Sequence, residues 1–340
     1  MPAGARAPIE PSPAGYRPWV TVPTPAPARA ATDRSVTVHE PSAGSRWPGI
    51  DRGVAALLAP AIGDGTAGAP VEIVDIGANP IDGDPPYRPL LDGGWGRVTG
   101  FEPQRDALAE LRRRAGPQER YLPHAIGDGH RHTLTLCATS GFASLLEPDE
   151  RQLELLTDFP GLARVTAREP VDTRRLDDVA EITAVDFLKI DIQGGELAVL
   201  RAGRDKLRRA VAVQTEVGFH RLYREQPTFA DVDLELRHQG FVPHRFVTSR
   251  TWPIAPVVWA DPLERAARHL VEADLLYVRD PVRLADCDDA QLGRMALIAD
   301  IVYGSAGLAL RCVLALIERG VLEPDAGDRY RRLAAGRGGG

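Results

Sequence analysis

Cysteine is scarce in this sequence, and a long apolar run is missing from it. The three cysteines, Cys137, Cys287 and Cys312, lie far apart and form no C-x-x-C motif. Few and dispersed cysteines argue against a disulfide framework and a zinc site, and they suit a reducing compartment. No apolar stretch reaches the roughly 18 residues of a transmembrane helix, and the first residues carry no apolar run of a signal peptide. We therefore expect a cytoplasmic protein without a membrane partner.

An excess of positive charge is also missing. The chain has 41 Lys and Arg residues against 47 Asp and Glu residues, which gives a formal net charge of −6. Because nucleic-acid-binding proteins usually carry a basic face, we expect no nucleic-acid partner. What the sequence does contain is much Ala, Arg, Gly and Pro, a composition typical of a GC-rich bacterial genome.

The order of residue types divides the chain into four segments. Residues 1–45 are rich in Pro, Ala and Ser and bury too little apolar surface to offset the entropy of ordering, so we expect a disordered or loosely packed arm. Residues 46–283 alternate between strand-like and helix-like runs and form the main domain. Residues 284–333 are helix-like, and residues 334–340 are expected to be a flexible tail.

The strand-like runs of the main domain are short and rich in β-branched residues. We predict strands at 71–76, 97–101, 121–126, 186–191, 211–216, 241–247 and 274–278, with helices between them, the last at 262–273. This alternation favours an α/β fold with a mostly parallel sheet and helices on both faces. The segment 284–333 is then a C-terminal helical extension, either a cap over the site or the contact of a homodimer.

A glycine turn, Asp75-Ile-Gly-Ala-Asn79, ends the first predicted strand. Open α/β sheets bind ligands in the crevice outside the carboxyl ends of their strands, where this turn lies. Gly77 allows a ligand to approach the backbone closely, and the Asp75 carboxylate can accept hydrogen bonds from the loop or face a cationic group. The residues after Gly77 do not complete the motif G-x-G-x-x-G, which disfavours a nicotinamide-dependent oxidoreductase.

Two further loops extend this ligand site. Glu102 follows the second strand, where a carboxylate can accept both hydroxyls of a ribose. The third strand leads into a loop that is expected to line the adenine of a nucleoside, and we assign His124, Ala125 and Asp128 to it. His124 is equally consistent with an ordinary surface histidine.

The most unusual stretch is Lys189-Ile-Asp-Ile-Gln-Gly-Gly-Glu196. Asp191, at the end of the fourth strand, should point into the crevice, and Glu196 opens a helix whose dipole stabilises its ionised form. The fifth strand ends at Glu216, and His220 follows soon after. Carboxylates and histidines accept protons from hydroxyl or amine groups, so Asp191, Glu216 and His220 are the candidate catalytic residues.

The same region suggests where a substrate binds. We assign Glu196 and Tyr223 to substrate binding, while Trp252 and Trp259 could line the acceptor side or pack in the core. A divalent cation held by Asp191 and Glu216 is an alternative use of these carboxylates, but we expect no metal.

The motifs together resemble the FkbM methyltransferase family. The resemblance covers about Val71 to about Arg279, and the string K-I-D-x-x-G-x-E is its most diagnostic part. The residues that carry it are Asp75-Ile-Gly-Ala-Asn79, Phe101-Glu102-Pro103, Ala125-Ile-Gly-Asp128, Arg175-Leu-Asp177, Asp186 to Glu196 and Glu216.

The resemblance implies a Rossmann-like class I methyltransferase fold, with a seven-stranded sheet whose last strand is antiparallel. It implies S-adenosylmethionine as the methyl donor and O-methylation of a hydroxyl on a sugar or natural-product small molecule. It assigns Asp75, Gly77 and Asn79 to the donor loop and Glu102 to the ribose, and it places Asp191 beside the donor. A catalytically silent nucleoside-binding or assembly protein on the same fold is the alternative.

One departure from the family pattern concerns the first helix of the fold. Pro80 follows Asn79, and the proline-rich run Gly83 to Pro89 interrupts a helix. We therefore expect the helix after the first strand to begin late or to be short.

Overall fold

The computed structural model describes residues 52–62, 71–79, 83–259 and 261–336. The expected arm at 1–45, residues Pro80 to Asp82 and the last four residues of the expected tail lie outside this range. Among the described residues, no helix combines the length and the apolar character needed to cross a membrane.

A seven-stranded sheet forms the centre of the fold, in the order β3-β2-β1-β7-β8-β10-β9. Its strands are β1 (Val71–Ile76), β2 (Gly96–Phe101), β3 (Glu119–Leu122), β7 (Phe187–Ile190), β8 (Ala212–Gly218), β9 (Phe241–Pro253) and β10 (Arg268–Arg279). The pairs from β3 to β8 are parallel, whereas β10 runs antiparallel to both β8 and β9. The predicted α/β sheet with an inserted antiparallel last strand is thus confirmed.

Helices cover both faces of this sheet because its residues alternate between two apolar clusters. On one face Ile73, Phe187 and Leu276 pack with α1 (Arg52–Ile62), α2 (Arg88–Asp92) and the C-terminal helices. On the other face Val74, Leu188 and Val213 pack with α6 (Glu196–Ala202), α7 (Arg204–Leu207) and α8 (Phe229–His238). The remaining helices before β10 are α3 (Arg105–Arg114), α4 (Glu150–Leu153) and α5 (Phe159–Leu162).

The first helix after β1 is short, as its prolines predict. Helix α2 begins only at Arg88, has five residues and carries a proline in its first turn, where the missing N–H costs nothing.

A second sheet of three strands, β4-β6-β5, corrects the predicted third strand. The segment predicted as one strand at 121–126 is divided: β3 ends at Leu122, and β4 (Ala125–Gly127) leaves the main sheet to pair with β6 (Val165–Arg175). β5 (Arg131–Cys137) pairs antiparallel with the other part of β6. Sequence periodicity does not show which sheet a strand joins, because pairing partners are distant in the chain.

The helix predicted at 262–273 is wrong. Apart from a short 3-10 turn at Glu264–Ala266, this segment forms the first half of β10. β10 has twelve residues: it pairs with β9 from Arg268 to Arg279, and its residues 272–278 also pair with β8. Tertiary pairing therefore overrides the helical propensity of the Glu, Arg and Ala residues.

The C-terminal helices are α9 (Asp289–Leu297), α10 (Ala306–Glu318) and α11 (Ala326–Ala335), and a π-helical turn at Ile298–Val302 follows α9. Asp288 and Gln291 form a capping box at the start of α9. Helix α11 extends two residues into the segment expected to be a tail. Leu292, Met295 and Leu316 lie in the same apolar cluster as the sheet residue Phe187. The helical extension therefore packs onto the sheet.

Candidate active site

The turn after β1 is held tightly against two neighbouring strands. The N–H groups of Gly77 and Ala78 both donate to the Phe101 carbonyl at 3.1 Å, and the Asp191 N–H donates to the Ile76 carbonyl at 3.0 Å. Gly77 has a φ of +79°, and a Cβ there would lie 2.0 Å from the Asp191 carbonyl oxygen. The close approach that requires glycine is thus made by the protein's own backbone, which joins the turn to Asp191.

Asp75 lies beneath this turn and is buried in a charged network. Its carboxylate accepts from the Tyr87 hydroxyl at 2.6 Å and from the Lys189 Nζ at 3.1 Å. The neighbouring carboxylates raise the pKa of Lys189 against the opposing effect of burial, so its ammonium stays charged. Sequence reasoning missed Lys189, although a lysine inside an apolar strand is a signal that it must have a buried partner.

The next two loops hold the residues predicted to bind the nucleoside. Glu102 is 2% exposed and accepts from the Gln104 N–H at 2.8 Å. Burial raises its pKa to about 7. The half-buried His124 lies near the Phe101 ring, with centroids 6.4 Å apart, and burial lowers the pKa of His124. These two groups lie at the ends of adjacent strands, as the sequence pattern predicts.

Asp128 and Ala125 lie on the small second sheet. Ala125 is buried in β4. Asp128 accepts from the His130 N–H at 2.9 Å and lies 2.8 Å from the His132 Nε2. These bonds stabilise the turn between β4 and β5. Asn79, the last described residue of the first turn, is partly exposed.

Asp191 and Glu216 are joined by the side chain of Gln193. The Gln193 Nε2 donates to the Asp191 Oδ1 at 3.1 Å and to the two Glu216 oxygens at 3.1 and 3.0 Å. The Gln193 Oε1 accepts from the Tyr223 hydroxyl at 3.2 Å. The amide is oriented with its N–H groups toward the three carboxyl oxygens and its oxygen toward the Tyr223 hydroxyl, an assignment that follows from these partners. Gln193 is a second site residue that sequence reasoning missed.

Glu196 caps the loop that carries Asp191. Its Oε1 accepts from the N–H groups of Ile192 at 2.9 Å and Gly194 at 3.2 Å, at the start of α6 as the dipole argument predicts. Burial raises the pKa of Glu196 to about 7. This position suits a residue that shapes the loop.

The antiparallel end of the sheet adds further charges next to Glu216. Asp274 pairs with Glu216 in the register of β8 and β10, and Glu272 lies two residues earlier on the same face. Arg250 on β9 contacts Glu272 at 2.7 Å and Glu216 at 3.6 Å. Burial, followed by the repulsion of Glu272 and Asp191, raises the pKa of Glu216 well above its usual value. The alternation of polar Glu272 and Asp274 with apolar residues could have indicated a strand with both carboxylates on one face. The wrong prediction of a helix at 262–273 hid this pattern.

His220 and Tyr223 enter the site differently. The His220 Nε2 lies 3.1 Å from the Gln152 carbonyl, and the His220 ring packs edge-on against that of His269. Burial lowers the pKa of His220. Tyr223 is 1% exposed and reaches Gln193. The structure therefore brings Tyr223 to the carboxylates, while the described contacts of His220 are made elsewhere.

Trp252 belongs to a small apolar core beside the site. It packs against the Phe159 ring at 4.7 Å and the Trp259 ring at 5.0 Å, and its indole N–H donates to the Thr157 carbonyl. Of the two interpretations of these tryptophans, the structure shows packing.

The three carboxylates Asp191, Glu196 and Glu216 each offer an oxygen within 4.8 Å of the others. Gln193 and the backbone N–H groups of Ile192 and Gly194 already bind them. These protein donors stabilise the cluster from the Gln193 side chain and from the loop backbone.

The sheet order, the antiparallel β10, the glycine turn after β1 and the carboxylate after β2 define a class I methyltransferase domain. Residues 75–243 match the family model described as the methyltransferase FkbM domain. Residues 75–243 therefore resemble the domain of the FkbM family of S-adenosylmethionine-dependent methyltransferases.

Individual relatives are more distant. The 2-O-methyltransferase NoeI of Sinorhizobium fredii (strain NBRC 101917 / NGR234) is 28% identical over 172 residues, which cover 48% of this chain and 70% of NoeI. Magnesium protoporphyrin IX methyltransferase from Synechocystis PCC 6803 has a TM-score of 0.32 and 13% identity, covering 67% of this chain and 79% of that chain. A TehB-like methyltransferase from Corynebacterium glutamicum has a TM-score of 0.30 and 12% identity; the match covers 67% of this chain and 88% of that chain.

Proposed function

We propose that the protein transfers the methyl group of S-adenosylmethionine to a hydroxyl group of a sugar or another natural-product small molecule. The observation that carries the proposal is the pair Asp191 and Glu216, joined by Gln193 and attached through the Asp191 backbone to the glycine turn. Two carboxylates beside the donor turn are suited to accept the proton of a hydroxyl. The relative NoeI is named as a 2-O-methyltransferase, which supports a hydroxyl group as the methyl acceptor.

The residues around the glycine turn fit the donor. Asp75, Gly77 and Asn79 would hold its methionine end and Glu102 its ribose hydroxyls, while His124, Ala125 and Asp128 would lie on the adenine side. Glu102 suits this role because it is buried, with one described hydrogen bond, from the Gln104 N–H. When bound, the donor supplies an electrophilic methyl group on a positively charged sulfur.

The protein's own part in the reaction is alignment and proton removal. We assign the proton-accepting role to the pair Asp191 and Glu216. His220 stays a weaker candidate base, because its Nε2 is occupied by the Gln152 carbonyl. Glu196 and Tyr223 would act on the acceptor side, Tyr223 through its hydrogen bond to Gln193.

The proposal extends to the location, the partners and the oligomeric state of the protein. We place it in the bacterial cytoplasm, acting on a small molecule rather than on nucleic acid. A homodimer stays a prediction that sedimentation of the purified chain would test.

The first experiment is titration calorimetry with S-adenosylhomocysteine, with NADH as the control. We expect saturable binding of S-adenosylhomocysteine alone. Binding of neither ligand would contradict the proposal and favour a silent scaffold.

The second experiment measures transfer of labelled methyl groups from S-adenosylmethionine to a panel of neutral methyl hexosides and phenolic glycosides. We expect Asp191→Asn to keep S-adenosylhomocysteine affinity within about threefold while reducing turnover by about 10²-fold or more, the usual size of a lost general base. Full turnover in this variant would remove Asp191 from the mechanism.

A further inference from the structure

The carboxyl groups of Asp191, Glu196 and Glu216 form a close cluster in a largely buried part of the site. Each offers an oxygen within 4.8 Å of the others, and Glu196 and Glu216 are only 5% and 4% exposed. Two carboxylates that share a shielded site do not both ionise at neutral pH, because the charge of one raises the pKa of the other. The pKa values of Glu196 and Glu216 are both raised, first by burial. The short separation of the groups and their burial therefore favour a bound proton in this cluster.

We propose that Glu216, joined to Asp191 by Gln193, holds a proton in the free protein and releases it to solvent when the positively charged methyl donor binds. The inference rests on the proposed function and extends it. The base is then formed only when the donor is in place.

Gln193 is the residue that makes the two carboxylates one unit. Its amide N–H groups reach both, and its own position is maintained from two sides. The Gln193 carbonyl accepts from the buried Ser144 hydroxyl at 2.7 Å, and the Gln193 Oε1 accepts from the Tyr223 hydroxyl. Gln193 also has a φ of +58°, which is uncommon for a residue other than glycine and is found mostly where the surroundings enforce it.

The elements packed around Glu216 do not neutralise the pair. On β10, Glu272 and Asp274 add negative charge, and both raise the pKa of Glu216. On β9, the Arg250 guanidinium contacts Glu272 at 2.7 Å and is more distant, at 3.6 Å, from Glu216.

On β7, Lys189 contacts the Asp75 carboxylate at 3.1 Å. Its charge also attracts Asp191 and Asp274. Acidic groups therefore outnumber basic groups in the described surroundings of Glu216. A cationic ligand would supply the positive charge that balances them.

The proposal gives a closed proton balance. Donor binding sends one proton from the pair to solvent. In the transfer, the bond between methyl carbon and sulfur breaks, a bond between methyl carbon and the acceptor oxygen forms, and the hydroxyl proton passes to the carboxylate pair. The pair then carries its proton again beside a product whose sulfur is neutral.

The test is calorimetry at pH 7 in two buffers of different protonation enthalpy, phosphate and Tris, with S-adenosylmethionine and S-adenosylhomocysteine as the two ligands. The buffer dependence of the binding enthalpy gives the number of protons released. We expect the unmodified protein to release about one proton more with S-adenosylmethionine than with S-adenosylhomocysteine.

Two variants test whether the released proton comes from Glu216. Glu216→Gln should remove the difference between the ligands while S-adenosylhomocysteine still binds. Glu235→Gln is the matched control, because Glu235 is also buried at 3% but is paired with Arg204 on the other side of α8, and it should keep the difference.

The outcomes are distinct. If both ligands bind to the unmodified protein with equal proton release, the inference is overturned and the donor site stands. If neither ligand binds, the proposed function fails and the inference fails with it. If a variant does not fold, the difference in proton release between the two ligands in the unmodified protein still tests the inference.

Discussion

Gly77 is the residue at which the donor turn meets the end of β7. Its φ of +79° disfavours any side chain, and the Asp191 carbonyl occupies the place of a Cβ. Gly83 has a similar φ of +92°, but no atom of the described part of the chain lies within 4 Å of its Cβ position. Comparing alanine substitutions at these two glycines therefore distinguishes the cost of backbone strain alone from the cost of strain and a steric clash together.

We predict that Gly77→Ala lowers the free energy of unfolding by about 2–5 kcal/mol, because a clash adds to the strain of the left-handed conformation. Gly83→Ala should cost only the strain, about 1–2 kcal/mol. Urea denaturation followed by circular dichroism measures both. Equal losses in the two variants would contradict the clash between the turn and Asp191.

Burial of the Glu102 carboxyl group makes the stability of the fold depend on pH. Its pKa is raised to about 7 by burial, so the folded protein favours the neutral form. The folded-state pKa lies above the value of 4.5 for an unperturbed glutamate. The contribution of Glu102 to stability is therefore fully present below pH 4.5 and is lost as the pH rises through 7.

We predict that Glu102→Gln stabilises the fold at pH 8, by at most about 3 kcal/mol for a shift of this size, and has little effect at pH 4.5. The same variant should bind S-adenosylhomocysteine more weakly, because an amide offers one acceptor oxygen in place of two. Denaturation at both pH values, with calorimetry, checks this. If Glu102→Gln stabilised the fold equally at both pH values, the stabilisation would not come from removing the buried charge of Glu102.

At the scale of elements, α10 shows how the C-terminal helices are attached. Leu316 is 0% exposed and lies in the apolar cluster beneath the sheet, whereas Leu314, two residues earlier on the same helix, is 39% exposed. Two leucines on one helix thus face opposite environments.

We predict that Leu316→Ala lowers the free energy of unfolding by about 2–5 kcal/mol, the usual cost of a cavity in a packed core. Leu314→Ala should change it by about 0.5 kcal/mol or less. Thermal and urea denaturation of the two variants provide the comparison. A small effect of both would mean that α10 packs only loosely against the sheet.

At the scale of the molecule, the helices after Arg283 complete the main core. Phe187 and Leu276 on the sheet share their apolar cluster with Leu292 and Val313 from these helices. Removing the helices would expose one face of the sheet to water.

We therefore predict that a chain ending at Arg283 loses cooperative unfolding, because the apolar area that it exposes exceeds what a marginally stable domain tolerates. Circular dichroism during heating and gel filtration, with the full chain alongside, would show this. A sharp unfolding transition like that of the full chain would mean that the extension is a separate cap.

The strands that bear the site were predictable because their signals are local. Val71–Ile76 is an apolar β-branched run that ends in a glycine turn, and 187–190 is a similar run that ends at Asp191. Parallel strands bring their carboxyl ends to one edge, so Asp75, Glu102 and Asp191 could be placed there before any contact was known.

The sequence by itself thus determined the α/β class, the glycine turn after β1, the carboxylates at one edge and the resemblance to the FkbM family. Only the tertiary structure decided that 268–273 is a strand, that Gln193 joins Asp191 to Glu216, and that Lys189 binds Asp75. The physical reason is distance along the chain. Periodicity and turn chemistry act over a few residues, whereas strand pairing, burial and the pKa of a buried carboxylate depend on groups brought together from distant segments.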